Sequence, residues 1–435
     1  MKRPLALCLV AAVLVSASAA LAYPLDGYPW THIKRLEAYR LAAQGSRVPS
    51  FLTEGEMQPG DFVQLNLANQ SGFAVPAEDQ GLSDRITAML GKDQRGYGIA
   101  VLDYSDPSRP RYAQHNADRP QNPGSVGKIM VLLAWFQALA DIHPDPADRH
   151  KLLLETEISA DAFIRNDSHD VPFWDFGASS VERRPIAEGD TANLWTFLDW
   201  MASASSNAAA STMMEHLILL VHFGKDYPVS SSEKDAFFKN TSKRELSKIY
   251  LDAMRTPATR NGIDLGKLRQ GHFFTREGKA RVPGVQSTST PGELLSFMLL
   301  MEQGKLVDAW SSRNIKKLLY LTDKRIRYAT SPALNSSAVY FKSGSLYGCK
   351  PEKGFDCGKF RGNRMNFMNS MVIVESIDRS PPLRYAVVVL SNVLRKDSSE
   401  LHQQLGANIH RIMEESHPTR AAGFGSAPEP GGAAP

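Results

Sequence analysis

One predicted helix constrains the fold more than any other segment of the chain. From Ser125 to Ile142, apolar side chains are so frequent that they cover most of a helical circumference. A helix of this kind is buried on nearly all sides, so other elements must pack around it. The chain can supply them, because its 435 residues are 43% hydrophobic and 22% charged, which is the composition of a globular protein.

Strand patterns occur on both sides of this helix along the chain. Two strands are expected before it and three after it, at 97–104, 111–114, 338–341, 368–375 and 383–390. Helices are expected at 33–43, 82–90, 125–142, 191–201, 208–223, 291–303 and 398–415. We therefore predict an α/β fold whose antiparallel sheet is assembled from both ends of the chain, is flanked by helices and carries a helical subdomain.

The least regular sequence lies between the strand groups. The polar stretches at 164–190 and 225–285 are expected to be loops or insertions. Order returns at Thr290, where Thr290 and Glu293 form a T-x-x-E capping box and Pro291 suits the first position of a helix.

The beginning of the chain predicts export. Lys2 and Arg3 precede a short apolar stretch, and the small residues Ala20 and Ala22 suit signal cleavage before Tyr23. An uncleaved anchor is the alternative, but the stretch is short for one. After residues 1–22 we expect an N-terminal extension (23–81), a main domain (82–416) and a disordered tail rich in Gly, Ala and Pro (417–435). No later segment approaches 18 apolar residues, so no membrane span is expected after cleavage.

Charge, cysteine and histidine content exclude several classes of function. The 50 Lys+Arg and 46 Asp+Glu residues are nearly balanced, so nucleic-acid binding is not expected. In an oxidising compartment Cys349 and Cys357 predict a disulfide, with two free thiols as the alternative. The sequence contains no H-E-x-x-H or C-x-x-C motif and its 11 His are scattered. We therefore predict no metal and no cofactor.

The start of the central helix carries the first chemical motif. In Ser125-Val-Gly-Lys128, the three-residue spacing puts a hydroxyl and an amine on one helical face. An amine in apolar surroundings can lose its proton and serve as the base that a nucleophilic serine needs. A capping serine and a snorkelling lysine explain this motif better than catalysis does when it stands alone. A P-loop does not explain it, because Asn122 replaces the first glycine and Ile129 replaces the Ser/Thr.

Two further motifs follow in a particular order. Ser205-Ser206-Asn207 lies between two apolar helices, and Lys342-Ser343-Gly344-Ser345 lies at the end of a predicted strand, where glycine permits close approach of a substrate. In the order S-x-x-K, S-x-N and K-[ST]-G, the three motifs resemble the signatures of serine β-lactamases and penicillin-binding D,D-peptidases, and the segment order is closest to class A β-lactamases. The resemblance extends from about Leu82 to Glu415, so that 82–416 is expected to be the catalytic domain.

The resemblance implies an acyl-enzyme mechanism. Ser125 is expected to be the acylated nucleophile and Lys128 its general base or proton relay. Ser205 is expected to pass a proton to the leaving nitrogen. The same resemblance, with the predicted signal, implies a bacterial periplasmic location.

The resemblance also implies a substrate-binding set. Asn207 is expected to hold the amide side chain of the substrate, and Lys342 with Ser343 its carboxylate. The backbone N–H groups of Ser125 and Ser345 are expected to form an oxyanion hole.

Two departures from class A enzymes concern the second half-reaction. Ser206 stands where those enzymes usually have an acid, and no E-x-x-L-N segment supplies their deacylating glutamate. Glu277 lies in roughly the right region of the sequence and is the one candidate for that base, although a solvated loop residue is the better explanation for it. The intervals between the motifs are also longer than the resemblance leads us to expect.

Three functional hypotheses therefore remain open. The first is an exported serine hydrolase that acts on β-lactams or related cyclic amides. The second is a D,D-carboxypeptidase that acts on the D-Ala-D-Ala ends of peptidoglycan stem peptides. The third is a penicillin-binding or sensor domain that is acylated without turnover. The absent glutamate pattern favours the second and third, whereas the segment order favours the first.

The cleavage site can be tested directly. We expect the mature protein to begin at Tyr23, because Ala20 and Ala22 suit signal peptidase. N-terminal sequencing of the protein recovered from the export compartment checks this, and recovery of a chain that begins at Met1 contradicts it.

Overall fold

A computed structural model describes residues 26–45, 52–70, 72–323 and 325–418 of the chain. The predicted signal segment at 1–22 and nearly all of the predicted tail at 417–435 lie outside these residues.

The strands and helices of the described residues are as follows. The strands are β1 (Tyr97–Asp103), β2 (Arg111–His115), β3 (Glu157–Ser159), β4 (Asp170–Phe173), β5 (Glu182–Pro185), β6 (Thr191–Asn193), β7 (Leu268–Arg269), β8 (Thr288–Ser289), β9 (Ser337–Gly348), β10 (Met365–Ser376) and β11 (Arg384–Asn392). The helices are α1 (Tyr28–Thr31), α2 (Lys34–Ala43), α3 (Gln80–Leu90), α4 (Lys128–Ile142), α5 (Pro146–Glu155), α6 (Leu194–Ala202), α7 (Asn207–Phe223), α8 (Ser231–Asn240), α9 (Lys243–Arg260), α10 (Arg276–Arg281), α11 (Pro291–Glu302), α12 (Ala309–Tyr320) and α13 (Ser398–Ser416).

The main sheet confirms the predicted architecture. Its five strands run in the order β2-β1-β11-β10-β9, and every neighbouring pair is antiparallel. The first two strands of the chain therefore pair with the last one, and β9 lies at the edge of the sheet. The molecule has the fold class that the strand pattern predicted, α/β with an antiparallel sheet between helical layers.

The sheet is covered on both faces. Successive strand residues point to opposite faces, so Val387 packs with α3 and α13 while its neighbour Val388 packs with α4. Every residue of α4 from Lys128 to Leu139 is buried, as the apolar pattern predicted. By length and composition Gly124–Ile142 could cross a membrane, contrary to the expectation that no later segment is apolar enough, but 78% of it is buried inside the fold.

The polar composition of residues 225–285 suggested loops or insertions, but only part of this stretch is irregular. They contain α8 and α9, and α9 buries Leu246, Tyr250, Met254 and Pro257. These residues recur at intervals of three or four, so a single apolar stripe holds an otherwise polar helix on the core. The predicted helix at 191–201 is also corrected at its start, because Thr191–Asn193 forms β6 before α6 begins.

The cap of α11 follows the prediction only in part. Thr290 Oγ1 accepts from the N–H of Glu293 at 3.2 Å. The Glu293 carboxylate does not return to Thr290 and instead accepts from the Asp264 N–H at 2.8 Å. A tertiary contact has taken the place of the second half of the capping box.

The loop after β9 is closed by the predicted disulfide. Cys349 and Cys357 are bonded, with their Cα atoms 5.8 Å apart. The bridge braces the segment that leads to Lys359 and Phe360, which line the cleft described below.

The N-terminal residues 26–45 and 52–70 pack on the main domain. Ile33, Leu36 and Val63 belong to the same hydrophobic core as α4. Arg35 is fully buried and donates to both carboxylate oxygens of Asp199 in α6, at 2.8 and 2.6 Å. The segment expected to be an extension is therefore anchored by a buried ion pair.

Removal of Arg35 should destabilise the fold strongly. Arg35→Ala leaves the buried Asp199 carboxylate without its partner, which costs about 3–5 kcal/mol. The neighbouring Lys34 is a matched control, because its pair with Asp175 is 54% and 82% exposed and Lys34→Ala should cost less than about 1 kcal/mol. Denaturant unfolding of the two variants checks this, and equal losses of unfolding free energy contradict it.

Candidate active site

A short turn delivers the serine of the first motif to the beginning of α4. Gly124–Gly127 forms a 3₁₀ turn that runs directly into the helix. Ser125 Oγ accepts a hydrogen bond from Lys128 Nζ at 2.8 Å. Lys128 also donates to Asn207 Oδ1 at 2.8 Å, which joins the first motif to the second.

The Lys128 amine lies in apolar surroundings. It has no exposed surface, and the ring of Phe274 lies 4.1 Å from Nζ. Burial lowers the pKa of Lys128 to about 7, and the charge of Asp167 opposes this shift. A substantial fraction of the amine is therefore neutral near pH 7 and can accept a proton.

The second motif forms the predicted turn between two helices. The turn lies between the end of α6 and the beginning of α7, and Ser205 adopts a left-handed backbone conformation with φ 62°. Ser206 caps α7 by accepting from the Ala209 N–H at 3.1 Å. Ser205 Oγ accepts from Lys342 Nζ at 2.8 Å, which joins the second motif to the third.

Asp167 supports this turn, and the sequence did not identify it as a site residue. Its carboxylate accepts from Ser206 Oγ at 3.1 Å, from the Ala208 N–H at 2.8 Å and from His169 Nδ1 at 2.6 Å. The pKa of Asp167 is lowered to about 2, because these donors outweigh burial. Asp167, which comes from a distant segment, thus contacts Ser206, the position of the S-x-N motif at which class A enzymes usually have an acid. No local pattern marks Asp167.

The third motif lies inside β9 and not at its end, because the strand continues to Gly348. Gly344 is required there, since a Cβ would lie 2.6 Å from the Ser125 backbone nitrogen and 2.5 Å from the Pro123 carbonyl oxygen. The free edge of β9 therefore touches the turn that carries Ser125. The approach is close from the other side too, since a Cβ on Gly124 would lie 3.3 Å from the Ser345 backbone nitrogen.

Arg327 is a second residue that sequence reasoning missed. Its guanidinium donates to Ser343 Oγ at 2.8 Å and to Ser345 Oγ at 3.1 Å. Arg327 is buried in a left-handed conformation with φ 55°, and burial lowers its pKa to about 10. An isolated arginine in a loop carries no sequence signal, so only the tertiary structure identifies it.

The three motifs surround one cleft of about 580 Å³. Predicted site residues that line it are Ser125, Ser205, Asn207, Ser343, Gly344 and Ser345, and the Lys128 and Lys342 amines contact them from below. Burial, Lys128 and Arg327 together hold the pKa of Lys342 well below its usual value. None of the described residues that line the cleft is an aspartate or a glutamate.

Glu277 is not brought into this cleft. Its carboxylate pairs with Arg281 at 2.7 Å, one turn further along α10, and it is absent from the cleft lining. The residue of this segment that reaches Lys128 is Phe274, three positions earlier. Within the residues that the structure describes, no group of three His, Cys, Asp or Glu could hold a metal ion.

Comparison with known protein families identifies the chain. Residues 81–364, more than half of the sequence, match the model of the Beta-lactamase enzyme family. The chain belongs to this family. Membership supports a function like that of serine β-lactamases and penicillin-binding proteins. No curated protein matches the chain.

Solved structures with a similar fold are distant in sequence. An acyl-enzyme complex of a PBP-A mutant with penicillin G is 13% identical, covering 79% of this chain and 99% of its own, with a TM-score of 0.47. The β-lactamase of Sphaerobacter thermophilus DSM 20745 is 15% identical, covering 78% and 97%, with a TM-score of 0.48. The TLA-3 extended-spectrum β-lactamase is 12% identical, covering 77% and 98%, with a TM-score of 0.49.

Proposed function

We propose that this protein is an exported serine hydrolase that is acylated at Ser125 by β-lactams or related cyclic amides and hydrolyses the acyl-enzyme slowly. The observation that carries the proposal is the chain of contacts from Ser125 through Lys128 to Asn207, beside the Ser205–Lys342 pair, in one cleft at the edge of β9.

Acylation uses each of these groups once. The neutral Lys128 amine takes the Ser125 hydroxyl proton while Oγ forms a bond to the carbonyl carbon. The carbonyl oxygen becomes negative and accepts from the N–H groups of Ser125 and Ser345, where one such donor is typically worth about 3 kcal/mol. The bond from carbon to the ring nitrogen then breaks, and Ser205 passes a proton to that nitrogen. Lys342, which donates to Ser205, supplies this proton and is then reprotonated by Lys128 or by solvent.

Binding uses the two walls of the cleft. Asn207 holds the amide of the acyl side chain on one wall. Ser343 and Lys342 receive the substrate carboxylate on the other, and Arg327 strengthens this subsite because its guanidinium already lies between Ser343 and Ser345.

Hydrolysis of the acyl-enzyme lacks a carboxylate base. Class A enzymes use a glutamate, whereas here Phe274 covers the Lys128 amine and Glu277 is held by Arg281. Lys128 is then the base in contact with Ser125, and none of the described residues that line the cleft is a carboxylate that could help it to position the water. We expect acylation to be complete and deacylation to limit turnover.

A D,D-carboxypeptidase is the second candidate. The free edge of β9 favours it, because an extended peptide can add to an exposed strand edge through backbone hydrogen bonds. A peptide end and a β-lactam present the same carbonyl to Ser125, so both hypotheses use the same acylation chemistry.

The proposal of export is supported by the disulfide. Bonded cysteines persist in oxidising compartments and are rare in the cytosol. Together with the predicted signal at 1–22, this favours the bacterial periplasm.

Burst kinetics test the proposed function. Intact-mass spectrometry after mixing with benzylpenicillin should show one added penicillin mass that decays slowly, because no acid activates water. Ser125→Ala should abolish the adduct and leave the unfolding free energy within about 1 kcal/mol. Rapid turnover without a detectable adduct, or an adduct on the Ser125→Ala variant, contradicts the proposal.

Phe274 offers a gain-of-function test of the same idea. Phe274→Glu places a carboxylate beside Lys128 and should raise the hydrolysis rate of the acyl-enzyme by at least about tenfold, since a general base is typically worth 10²–10⁴. Phe274→Gln is the matched control, with a similar side chain and no base. Equal rates for the two variants show that a missing acid at this position is not the reason for slow turnover.

The acylation rate should depend on the protonation of Lys128. The amine acts as a base only when neutral, so the rate falls as pH drops below about 7 and reaches a plateau above it. Asp167→Asn removes the charge that raises the pKa of Lys128, and the profile should shift to lower pH. Stopped-flow labelling with a fluorescent penicillin across pH 5 to 9 measures this, and a profile that is flat through neutrality contradicts it.

A further inference from the structure

The two walls of the cleft differ in how their charges are satisfied. On the wall formed by β9, Arg327 is held by Ser343 and Ser345. On the opposite wall, which carries Asn207, Lys279 also lines the cleft. None of the residues that the structure describes pairs or hydrogen-bonds with the Lys279 ammonium.

Several contacts place Lys279 on the acyl side of the cleft. Asn207 begins α7, and one turn later Ser211 Oγ accepts from the N–H of Thr275, the residue that caps α10. Thr275 Oγ1 donates to the Phe163 carbonyl at 2.5 Å, which fixes α10 against the same wall. Lys279 therefore lies on the wall that holds the amide side chain of a substrate.

Neither Glu277 nor Asp167 pairs with Lys279. Glu277 is paired with Arg281 in the same helix. Asp167 is occupied by Ser206, Ala208 and His169. The Lys279 side chain is exposed to solvent at the cleft, and partial desolvation lowers the pKa of its ammonium with no neighbouring acid to oppose the shift.

We propose that Lys279 forms a second anion-binding subsite on the acyl wall, so that the preferred acyl donors carry an acidic group on the acyl side in addition to the carboxylate received by Ser343 and Lys342. This inference rests on the proposed function, because it takes Ser125 as the acylated residue. It deepens that function by naming the substrate class as dianionic acyl donors. His169, whose Nδ1 contacts the Asp167 carboxylate at 2.6 Å, also lines the cleft.

Three penicillins that differ at one position provide the test. Carbenicillin adds a carboxylate to the acyl side chain of benzylpenicillin, and ampicillin adds an amine at the same place. Second-order rate constants for adduct formation on Ser125 should rank carbenicillin above benzylpenicillin by roughly three- to fivefold, with ampicillin lowest. High salt should reduce these differences, since the site is open to solvent.

Lys279 variants assign the effect to one side chain. Lys279→Gln should remove the advantage of carbenicillin, and Lys279→Glu should reverse it. Lys359 is the charge-matched control, because it also lines the cleft but lies beside Phe360 in the loop after β9. Lys359→Gln should leave the carbenicillin to benzylpenicillin ratio unchanged, and melting temperatures confirm that all variants are folded.

The outcomes separate this inference from the function on which it rests. Labelling of Ser125 by benzylpenicillin without any preference for carbenicillin, or a preference that survives Lys279→Gln, overturns the subsite and leaves the proposed function standing. Loss of the preference in Lys359→Gln but not in Lys279→Gln also overturns it. Absence of an adduct with all three compounds overturns both.

Discussion

The candidate site depends on one amine that the fold buries without an acid in contact with it. Lys128 reaches Ser125 and Asn207, a hydroxyl and an amide, and neither can hold its charge as a carboxylate would. Asp167 acts only through space, and its effect is smaller than that of burial. This imbalance leaves a base at neutral pH beside a serine at the start of a helix. If Lys128 were paired directly with an acid, its amine would stay charged and Ser125 would have no base beside it.

The position of Lys128 follows from how the sheet and the helices meet. The central helix must be buried because it is apolar on all sides, and that burial also covers the lysine in its first turn. The sheet is closed by strands from both ends of the chain, which puts β9 at the edge that faces the nucleophile turn. Gly344 allows this approach, since any side chain would collide with the turn. The contact between Gly344 and the turn that carries Ser125 is therefore part of both the packing of the sheet edge and the candidate active site.

The sequence predicted the elements whose pattern is local. The apolar run of α4 and the apolar, β-branched runs of β1, β10 and β11 could be read directly, because each signal lies within a few residues. Only half of the α11 capping box was predicted correctly. The Glu293 carboxylate accepts from the N–H of Asp264, a residue too far from Thr290 in the sequence to be part of a local pattern. Helix α9 was missed because its apolar stripe is narrow in a polar sequence.

The site residues show the same difference between local sequence patterns and contacts with distant segments. Ser125 and Lys128 can be paired from their spacing, whereas the resemblance to a family assigned Lys342 and Ser205 to one site without predicting that they touch. Asp167, Arg327 and Phe274 have no pattern of their own, because each acts through a contact with a distant segment. Glu277, the predicted base, lies three residues after Phe274, whose side chain is the one that reaches the Lys128 amine. A sequence pattern does not show which residue of an irregular segment points inward.

The charges of the cleft link binding to the proton that the reaction needs. Without a ligand, Lys342 lies near Lys128 and Arg327, and burial with this repulsion disfavours its charged form. A substrate carboxylate beside Lys342 acts in the opposite direction and favours the ammonium. In the proposed function, the amine that donates to Ser205 would therefore gain a proton when the substrate binds, at the step in which the leaving nitrogen requires one. Lys128, which contacts Ser125 and Asn207, would keep its basic form, so that one ligand sets the two lysines to opposite tasks.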